Sequence, residues 1–294
     1  MNEFIQQLIN GLSIGSVYAL LALGVTLVWG VLDILNFAHA QFMVWGTFAV
    51  VLFLNRGWPV IPSIAVGMLV AALIAVLVEE LVVSPLRRRS SDLFAPVVAT
   101  IGVAFILQTL LKMRTKGELR PIPTRDFPTD LYHIGQINIP QLQLVVLGTT
   151  VVVMVLMWYW LTRTRRGQEL RSVAYSRELS LLLGINARVA FITAFAVSGA
   201  LAALAGTFVA VQTSLISYSS GDPLMLIIFA AIVIGGMGSV PGAFLGGIVI
   251  GIVQTMASAY VSTDLSDAAA FILMFLVLCF RPTGLIPQRE SSRA

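Results

Sequence analysis

Long apolar segments follow one another along almost the whole chain, and this feature most restricts the fold. A helix needs about 20 apolar residues to cross the hydrocarbon core of a bilayer. Hydrophobic residues make up 58% of the 294 residues and charged residues 11%, whereas a soluble domain carries about 25% charged residues. The candidate spans are residues 5–29, 35–54, 60–78, 93–111, 142–161, 189–211, 224–240, 243–261 and 268–280. We therefore predict an all-α polytopic membrane protein with a single transmembrane domain over residues 1–294.

The number of crossings depends on the glycine-rich stretch from Gly235 to Gly247. This stretch is compatible with two helices or with one broken helix, because Pro241 interrupts helical hydrogen bonding there. We predict eight or nine transmembrane helices, with broken or re-entrant segments. The glycines that recur at spacings of four, such as Gly11 with Gly15 and Gly247 with Gly251, favour close helix packing. A role for the broken helix beside a transport pathway stays open.

Basic residues predict the orientation, because Lys and Arg concentrate on the cytoplasmic side of a membrane protein. Twelve of the 18 basic residues fall on one side of the predicted spans: Arg87, Arg88, Arg89, Arg163, Arg165, Arg166, Arg171, Arg177, Arg188, Arg281, Arg289 and Arg293. This side is predicted to be cytoplasmic, which places the amino end outside, the carboxyl end inside and an odd number of crossings between them. Nine spans satisfy this condition, and eight require a re-entrant segment.

Two loops follow from this orientation. Residues 163–188 form a cytoplasmic loop and residues 113–140 an external loop. Four basic residues of the external loop go against the charge bias: Arg114, Lys116, Arg120 and Arg125. Because Glu3 stands where a signal peptide has a basic region, we expect the first span to be retained.

The sequence offers little catalytic chemistry. It contains two histidines and one cysteine, so no metal-ligand cluster or paired nucleophile and base is evident. It also lacks a glycine-rich phosphate-binding loop with a lysine. We predict no metal, no cofactor and no enzymatic activity, so any ATP-driven transport would need an ATPase on another chain. The basic charges are divided among short loops, so nucleic-acid binding is not expected.

The few charges near the spans also bear on the mechanism. Carriers driven by ion gradients usually place carboxylates or basic groups within their spans, and here the centres of the predicted spans are nearly free of charge. Glu79 and Glu80 lie near the cytoplasmic end of the third span. We expect them to pair with the Arg87–Arg89 cluster or to reach the interface.

A polar group within an apolar region marks the start of the second span. Asn36, His39 and Gln41 occur within six residues, and in hydrocarbon such side chains need hydrogen-bond partners. On a continuous helix, Asn36 and Ala40 would share one face. These residues either line a translocation pathway or form hydrogen bonds between helices, and the two roles are compatible.

The cytoplasmic segment contains a second candidate site. Residues 168–183 lack glycine and proline and predict a helix of about four turns, which Gly184 would end in a left-handed conformation. Such a helix could lie passively at the membrane surface. It could equally be a lever gripped by a cytoplasmic partner.

These motifs together resemble the permease subunits of branched-chain amino acid ABC transporters, in particular the LivH-like member of the pair. The resemblance runs nearly end to end and is carried by Gly15-Ser16-Val17-Tyr18-Ala19-Leu20, Asn36-Phe37-Ala38-His39, Pro85-Leu86-Arg87, Ala99-Thr100-Ile101-Gly102, Gly167 with Arg171, Ala174 and Gly184-Ile185-Asn186, Gly235 through Gly242, and Arg281-Pro282-Thr283-Gly284-Leu285.

The resemblance implies a bacterial plasma (inner) membrane protein that works with several partners. These are a second related permease, two ATP-binding subunits and a periplasmic or extracellular substrate-binding protein. Residues 167–186 would be the coupling loop that docks on the ATPase. There Arg171 would offer charge to the partner, Ala174 would let the surfaces approach closely and Gly184 would end the helix.

The sequence departs from the family in two places. Ala40 and Gln41 replace the usual glycine and acidic residue after Asn-Phe-Ala-His, and Ser176 and Ser180 replace the usual Asn or Asp and Ala. The first change leaves the substrate open. Branched-chain or similar amino acids are the main hypothesis, with urea, short amides or other amino acids as alternatives. A gradient-driven carrier and a membrane-embedded enzyme are more distant alternatives.

Overall fold

The computed structural model describes residues 2–89, 94–123, 127–128, 130–134 and 137–286. Most of them are helical. The helices are α1 (Asn2–Leu32), α2 (His39–Asn55), α3 (Val60–Val78), α4 (Ser84–Arg89), α5 (Phe94–Thr115), α6 (Gln141–Arg163), α7 (Arg165–Tyr175), α8 (Arg177–Leu182), α9 (Ala187–Thr213), α10 (Gly221–Gly235), α11 (Val240–Tyr260) and α12 (Ser266–Phe280). A π-helical turn (Glu79–Val83) joins α3 to α4, and a 3₁₀ turn (Thr263–Leu265) precedes α12.

Seven helical segments in the described part of the chain are long and apolar enough to cross a membrane. They are Asn2–Leu32, Val60–Arg87, Phe94–Thr115, Gln141–Arg163, Ala187–Thr213, Val240–Tyr260 and Thr263–Phe280. Two shorter apolar helices, α2 and α10, accompany them. The protein is therefore a multi-pass helical membrane protein, as predicted.

Three predicted boundaries can be compared with the structure. Helix α3 spans 60–78 as expected. Helix α2 begins at His39, four residues later than predicted, because residues 33–36 are not helical and Asp33 has a φ of 55°. The stretch near Gly235 contains two helices, α10 and α11, which are separated where Gly236 and Gly238 adopt φ angles of 107° and 81°.

Four short strands lie in or near the predicted external loop. Strand β1 (Arg120–Pro121) pairs with β4 (Leu215–Ile216), and β2 (Leu131–Ile134) pairs with β3 (Ile137–Pro140), both antiparallel. Asn138 of β3 exchanges two hydrogen bonds of 2.9 Å with the side-chain amide of Gln6 on α1. Three arginines that bear on the predicted topology lie outside the described residues: Arg125, Arg289 and Arg293.

The described helices group into two compact units. The single transmembrane domain over residues 1–294 stays a prediction. The first unit comprises the described residues of 1–26, 130–158 and 226–294. Its helices α1 and α11 approach closely through glycines, as the four-residue spacing predicted. A Cβ atom added at Gly15 would lie 2.7 Å from Ile248 Cα, and one added at Gly251 would collide with the Gly15 backbone. Larger side chains would therefore force these two helices apart.

The end of α10 in this unit is covered by a turn from far along the chain. The backbone N–H groups of Leu285 and Ile286 donate to the carbonyls of Ile234 and Gly235, at 2.8 and 3.0 Å. The last carbonyls of a helix lack partners within the helix. The turn therefore supplies donors that lipid cannot.

The second unit comprises the described residues of 27–129 and 159–225. Helices α2, α3 and α9 pack together through small residues and form its centre. A Cβ atom at Gly199 of α9 would lie 2.6 Å from the Ala71 carbonyl oxygen of α3. Trp45 Nε1 of α2 donates to the Leu107 carbonyl of α5 at 3.1 Å. This packing places the start of α2 beside α5 and α9.

Two ion pairs lie at the end of α3 in the same unit. Arg87 Nη2 contacts Glu79 Oε1 at 3.0 Å, and the Glu79 side chain is only 2% exposed. The Arg87 guanidinium carbon also lies 3.8 Å from the centre of the Phe191 ring. Arg188 binds Glu80 through two hydrogen bonds of 2.8 and 2.6 Å. The expected pairing with the arginine cluster is therefore confirmed for Glu79, whereas Glu80 pairs with the first turn of α9.

Candidate functional site

The start of α2 is a local turn built by Asn36. Its Oδ1 accepts a hydrogen bond from the Ala38 N–H at 3.1 Å, and its backbone carbonyl accepts one from the His39 N–H at 3.2 Å. The Phe37 N–H donates to Thr100 Oγ1 of α5 at 3.3 Å. Because Asn36 precedes the helix, the expectation that Asn36 and Ala40 share one helix face is wrong.

His39 faces α9. Its Nδ1 lies 3.1 Å from Ser198 Oγ, and its ring makes an edge contact with Phe42 at 6.2 Å between centroids. The side chain is fully buried. This geometry is the hydrogen bond between helices that the sequence left open as one role for this residue.

Gln41 faces a different set of neighbours. Its Nε2 donates to Asp222 Oδ1 of α10 at 3.3 Å. Gln108 Nε2 of α5 donates to the other carboxylate oxygen, Oδ2. Three elements thus bring Gln41, Gln108 and Asp222 together, and we refer to these three residues as the Asp222 cluster.

The position of the Asp222 cluster follows from the packing of two helix starts. A Cβ atom at Gly221 would lie 2.7 Å from the Ala40 carbonyl oxygen, so the start of α10 lies directly against the first turn of α2. Asp222 sits in the first turn of α10, where the helix dipole stabilises a negative charge. Gln108 lies seven residues before the end of α5 at Thr115, about 10 Å along the helix axis. The carboxylate is therefore held within the length of a candidate span.

Asn36 and Gln41 each carry a buried polar atom that lacks a partner among the described residues. Asn36 is 2% exposed and Gln41 is 1% exposed. Among the described residues, neither Asn36 Nδ2 nor Gln41 Oε1 has a hydrogen-bond partner. Buried polar groups in native proteins are nearly always hydrogen-bonded, so these two atoms point to contact with something other than the described residues.

The sequence pointed to Asn36, His39 and Gln41, and the structure separates them. Gln41 joins the Asp222 cluster, His39 binds Ser198, and Asn36 forms the turn before the helix. Three further residues at these contacts were not predicted from the sequence: Ser198, Gln108 and Asp222. Gln108 could have been found as an amide inside a predicted span. Asp222 was overlooked because it lies two residues before the apolar run that begins at Leu224.

The cytoplasmic segment forms two short helices. Ser176 is extended, with φ −156° and ψ 117°, and its Oγ accepts a hydrogen bond from the Leu179 N–H as the N-cap of α8. The predicted continuous helix over 168–183 is therefore wrong, because a serine able to cap a new helix competes with continuation of the first. Gly184 does follow the helical segment with a φ of 76°, the left-handed conformation that was predicted.

The predicted coupling residues lie on α7 and just after α8. Arg171 is exposed, and its Nη2 donates to the Thr162 carbonyl at 3.3 Å. Ala174 is partly exposed, and Gly184 is exposed. Leu170 and Val173 are buried and hold α7 in place.

An apolar surface continues from these residues along α8. Leu182 is 84% exposed and Leu183 is 76% exposed, and Tyr175 and Leu179 are also exposed. A cluster of exposed apolar residues beside charged ones is typical of a protein or membrane contact.

Comparisons with known proteins cover nearly the whole chain. The family described as "Branched-chain amino acid transport system / permease component" matches residues 7–278. The high-affinity branched-chain amino acid transport system permease protein BraD of Pseudomonas aeruginosa is 30% identical, over 98% of this chain and 97% of that protein. LivH of Escherichia coli K12, with the same description, is 30% identical over 98% of this chain and 96% of that protein. A solved structure of PsaBC from Streptococcus pneumoniae in complex with Fab aligns over 94% of this chain and 90% of that chain, at 12% identity and a TM-score of 0.42.

Proposed function

The chain belongs to the family of branched-chain amino acid transport system permease components, and we propose that it carries branched-chain or similar amino acids across the membrane as the permease of an ABC importer. The single observation behind this proposal is the similarity to BraD and LivH along nearly their full lengths. Seven helical segments between Asn2 and Phe280, in the described part of the chain, are long and apolar enough to cross a membrane, as a permease requires.

We further propose that the energy comes from ATP hydrolysis on separate subunits. The complete importer would contain this chain, a second related permease, two ATP-binding subunits and a substrate-binding protein outside the membrane. The amino-terminal end of α1 would face outside, and the end of α12 would face the cytoplasm, where the arginine-rich segment from Arg163 to Arg188 also lies.

The coupling segment is proposed to be α7 and α8, with Arg171, Ala174 and Gly184 at the contact with the ATPase. Three features support this role. Arg171 and Gly184 are exposed, the side chains of Leu182 and Leu183 are largely exposed, and buried Leu170 and Val173 attach α7 firmly to the rest of the unit. A rigidly attached surface of this kind can transmit a push from a partner to α9.

The start of α2 is proposed to line the translocation pathway, with Asn36, His39 and Gln41 in different roles. Gln41 and Asn36 carry the buried atoms that lack partners among the described residues. His39 would keep α2 in register with α9 through Ser198. Gln41, where the family usually has an acidic residue, also keeps urea and short amides open as alternative cargo.

Uptake of radiolabelled leucine and urea tests the cargo. Cells expressing the complete importer are compared with cells that lack only this chain. We expect leucine uptake to depend on the chain and urea uptake not to. Leucine uptake that is the same in both strains would reject the amino-acid proposal.

Two variants test the coupling segment. Arg171→Glu reverses the charge offered to the partner, and Gly184→Pro replaces a residue whose φ is 76° with one restricted to negative φ. We expect both to abolish leucine uptake while the chain still reaches the membrane in normal amounts. Normal uptake by both variants would remove α7 and α8 from the proposed ATPase contact.

A further inference from the structure

We propose that the Asp222 cluster is a binding station for the protonated amino group of the transported solute. This proposal rests on the proposed function and deepens it, because it assigns a cation-binding step to a cluster that includes Asp222 and Gln108, two residues that the family resemblance did not single out. Three observations support the proposal: the neutral partners of Asp222, the second acceptor on Gln41 and the contact of Asp222 with a candidate span.

The described hydrogen-bond partners of Asp222 are neutral. Its two carboxylate oxygens accept hydrogen bonds from the side-chain amides of Gln41 and Gln108, both of which are neutral donors. No Lys, Arg or His among the described residues forms a salt bridge with it. Neutral donors orient a carboxylate but do not cancel its charge, so the cluster attracts a positive group.

Gln41 adds a second acceptor beside that carboxylate. Its Nε2 donates to Asp222 Oδ1, and Oε1 is the other polar atom of the same planar amide. This oxygen is buried and has no hydrogen-bond partner in the described part of the chain. An ammonium group carries three N–H donors and no acceptor. It can therefore satisfy both the carboxylate and the amide oxygen.

The depth of the cluster separates it from an ordinary surface carboxylate. Gln108 holds Asp222 within the length of α5, and the neighbouring Gln41 is only 1% exposed. Gln108 lies in a candidate span, and ionisable groups beside membrane-spanning segments usually mark a substrate or ion pathway. Asp222 itself remains exposed, so a solute can reach it.

The test uses the complete importer with radiolabelled leucine as the probe, with each variant compared at equal membrane abundance by quantitative immunoblot. Asp222→Asn keeps the shape of the side chain and removes its charge. We expect kcat/KM for leucine uptake to fall about tenfold or more, because the charge-assisted hydrogen bond to the ammonium group is lost. Asp264→Asn, which neutralises an exposed carboxylate in the 3₁₀ turn before α12, is the matched control and should leave uptake unchanged.

A charge relocation makes the test specific. In the double variant Gln41→Glu with Asp222→Asn, the carboxylate moves from position 222 to position 41, its hydrogen-bond partner. Residue 222 can still bond to residue 41 and to Gln108. We expect this double variant, and Asp222→Glu alone, to recover uptake to within about threefold of wild type, because the charge-assisted contact is restored.

Three results would overturn the proposal. Asp222→Asn could transport leucine as well as wild type, or the relocated carboxylate could transport no better than the single variant. Asp222→Glu could also be as poor as Asp222→Asn. If the wild-type importer carries leucine and the variants carry it equally well, only the proposed binding of the amino group at the Asp222 cluster is rejected. If it carries urea and not leucine, the amino-acid cargo fails as well.

Discussion

Two carboxylates in the second unit have opposite surroundings. Glu79 is buried, contacts the Arg87 guanidinium at 3.0 Å, and its partner stacks on Phe191. Asp222 is exposed and is held by two neutral amides. The first carboxylate is paired with a cation within the protein, whereas the described partners of the second are neutral, which leaves it available to the proposed solute cation. The role of a charged side chain in a membrane protein therefore depends on its partners as much as on its burial.

The largest expected effect on stability is at the ion pair between Glu79 and Arg87. Arg87→Met leaves Glu79 buried without its cation, and breaking a buried ion pair by removing one partner costs about 3–5 kcal/mol. We expect a large drop in the thermal unfolding midpoint of the detergent-purified protein. The double variant Glu79→Gln with Arg87→Met should recover most of the loss, because no uncompensated charge remains.

If the double variant is as unstable as Arg87→Met alone, the stability comes from the stacking of Arg87 on Phe191 and not from its ion pair with Glu79. Pairing with a cation would then not be what distinguishes Glu79 from Asp222.

An intermediate effect is expected at Ser198. Ser198→Ala removes the hydroxyl that lies 3.1 Å from His39 Nδ1 in a fully buried contact. A neutral buried hydrogen bond contributes about 1 kcal/mol, so the midpoint should fall measurably but less than for Arg87→Met. Ser198→Thr, which keeps the hydroxyl, is the control. A loss as large as that of Arg87→Met would mean that His39 takes part in a charged rather than a neutral contact.

The smallest expected effect on stability is at Asp222. The side chain is exposed, and exposed substitutions usually change stability by about 0.5 kcal/mol or less. Asp222→Asn should therefore unfold at nearly the wild-type midpoint while its leucine uptake falls. A midpoint as low as that of Arg87→Met would show that Asp222 is a structural carboxylate, and the contrast between the two sites would disappear.

Much of the fold could be predicted because the apolar segments dominate the sequence. Helix α3 has the predicted bounds, and the glycines at spacings of four meet between α1 and α11. The errors come from polar side chains that bond to nearby backbone. Asn36 delays the start of α2, and Ser176 divides the predicted coupling helix in two. Apolar periodicity carries no signal for such local competition.

The candidate site was predictable in part. Gln41 was chosen because a polar residue in an apolar region needs a partner, but the sequence could not say which one. Its partner Asp222 lies about 180 positions later in the chain and joins it only because α10 begins against the first turn of α2. Contacts between residues so far apart depend on how the helices pack, which one sequence does not reveal.

The turn that covers the end of α10 has a consequence for how the protein is made. The carbonyls of Ile234 and Gly235 receive their donors from Leu285 and Ile286, and the ribosome makes those residues only after α11 and α12. During synthesis, these two carbonyls of α10 therefore lack their donors until both α11 and α12 have been made.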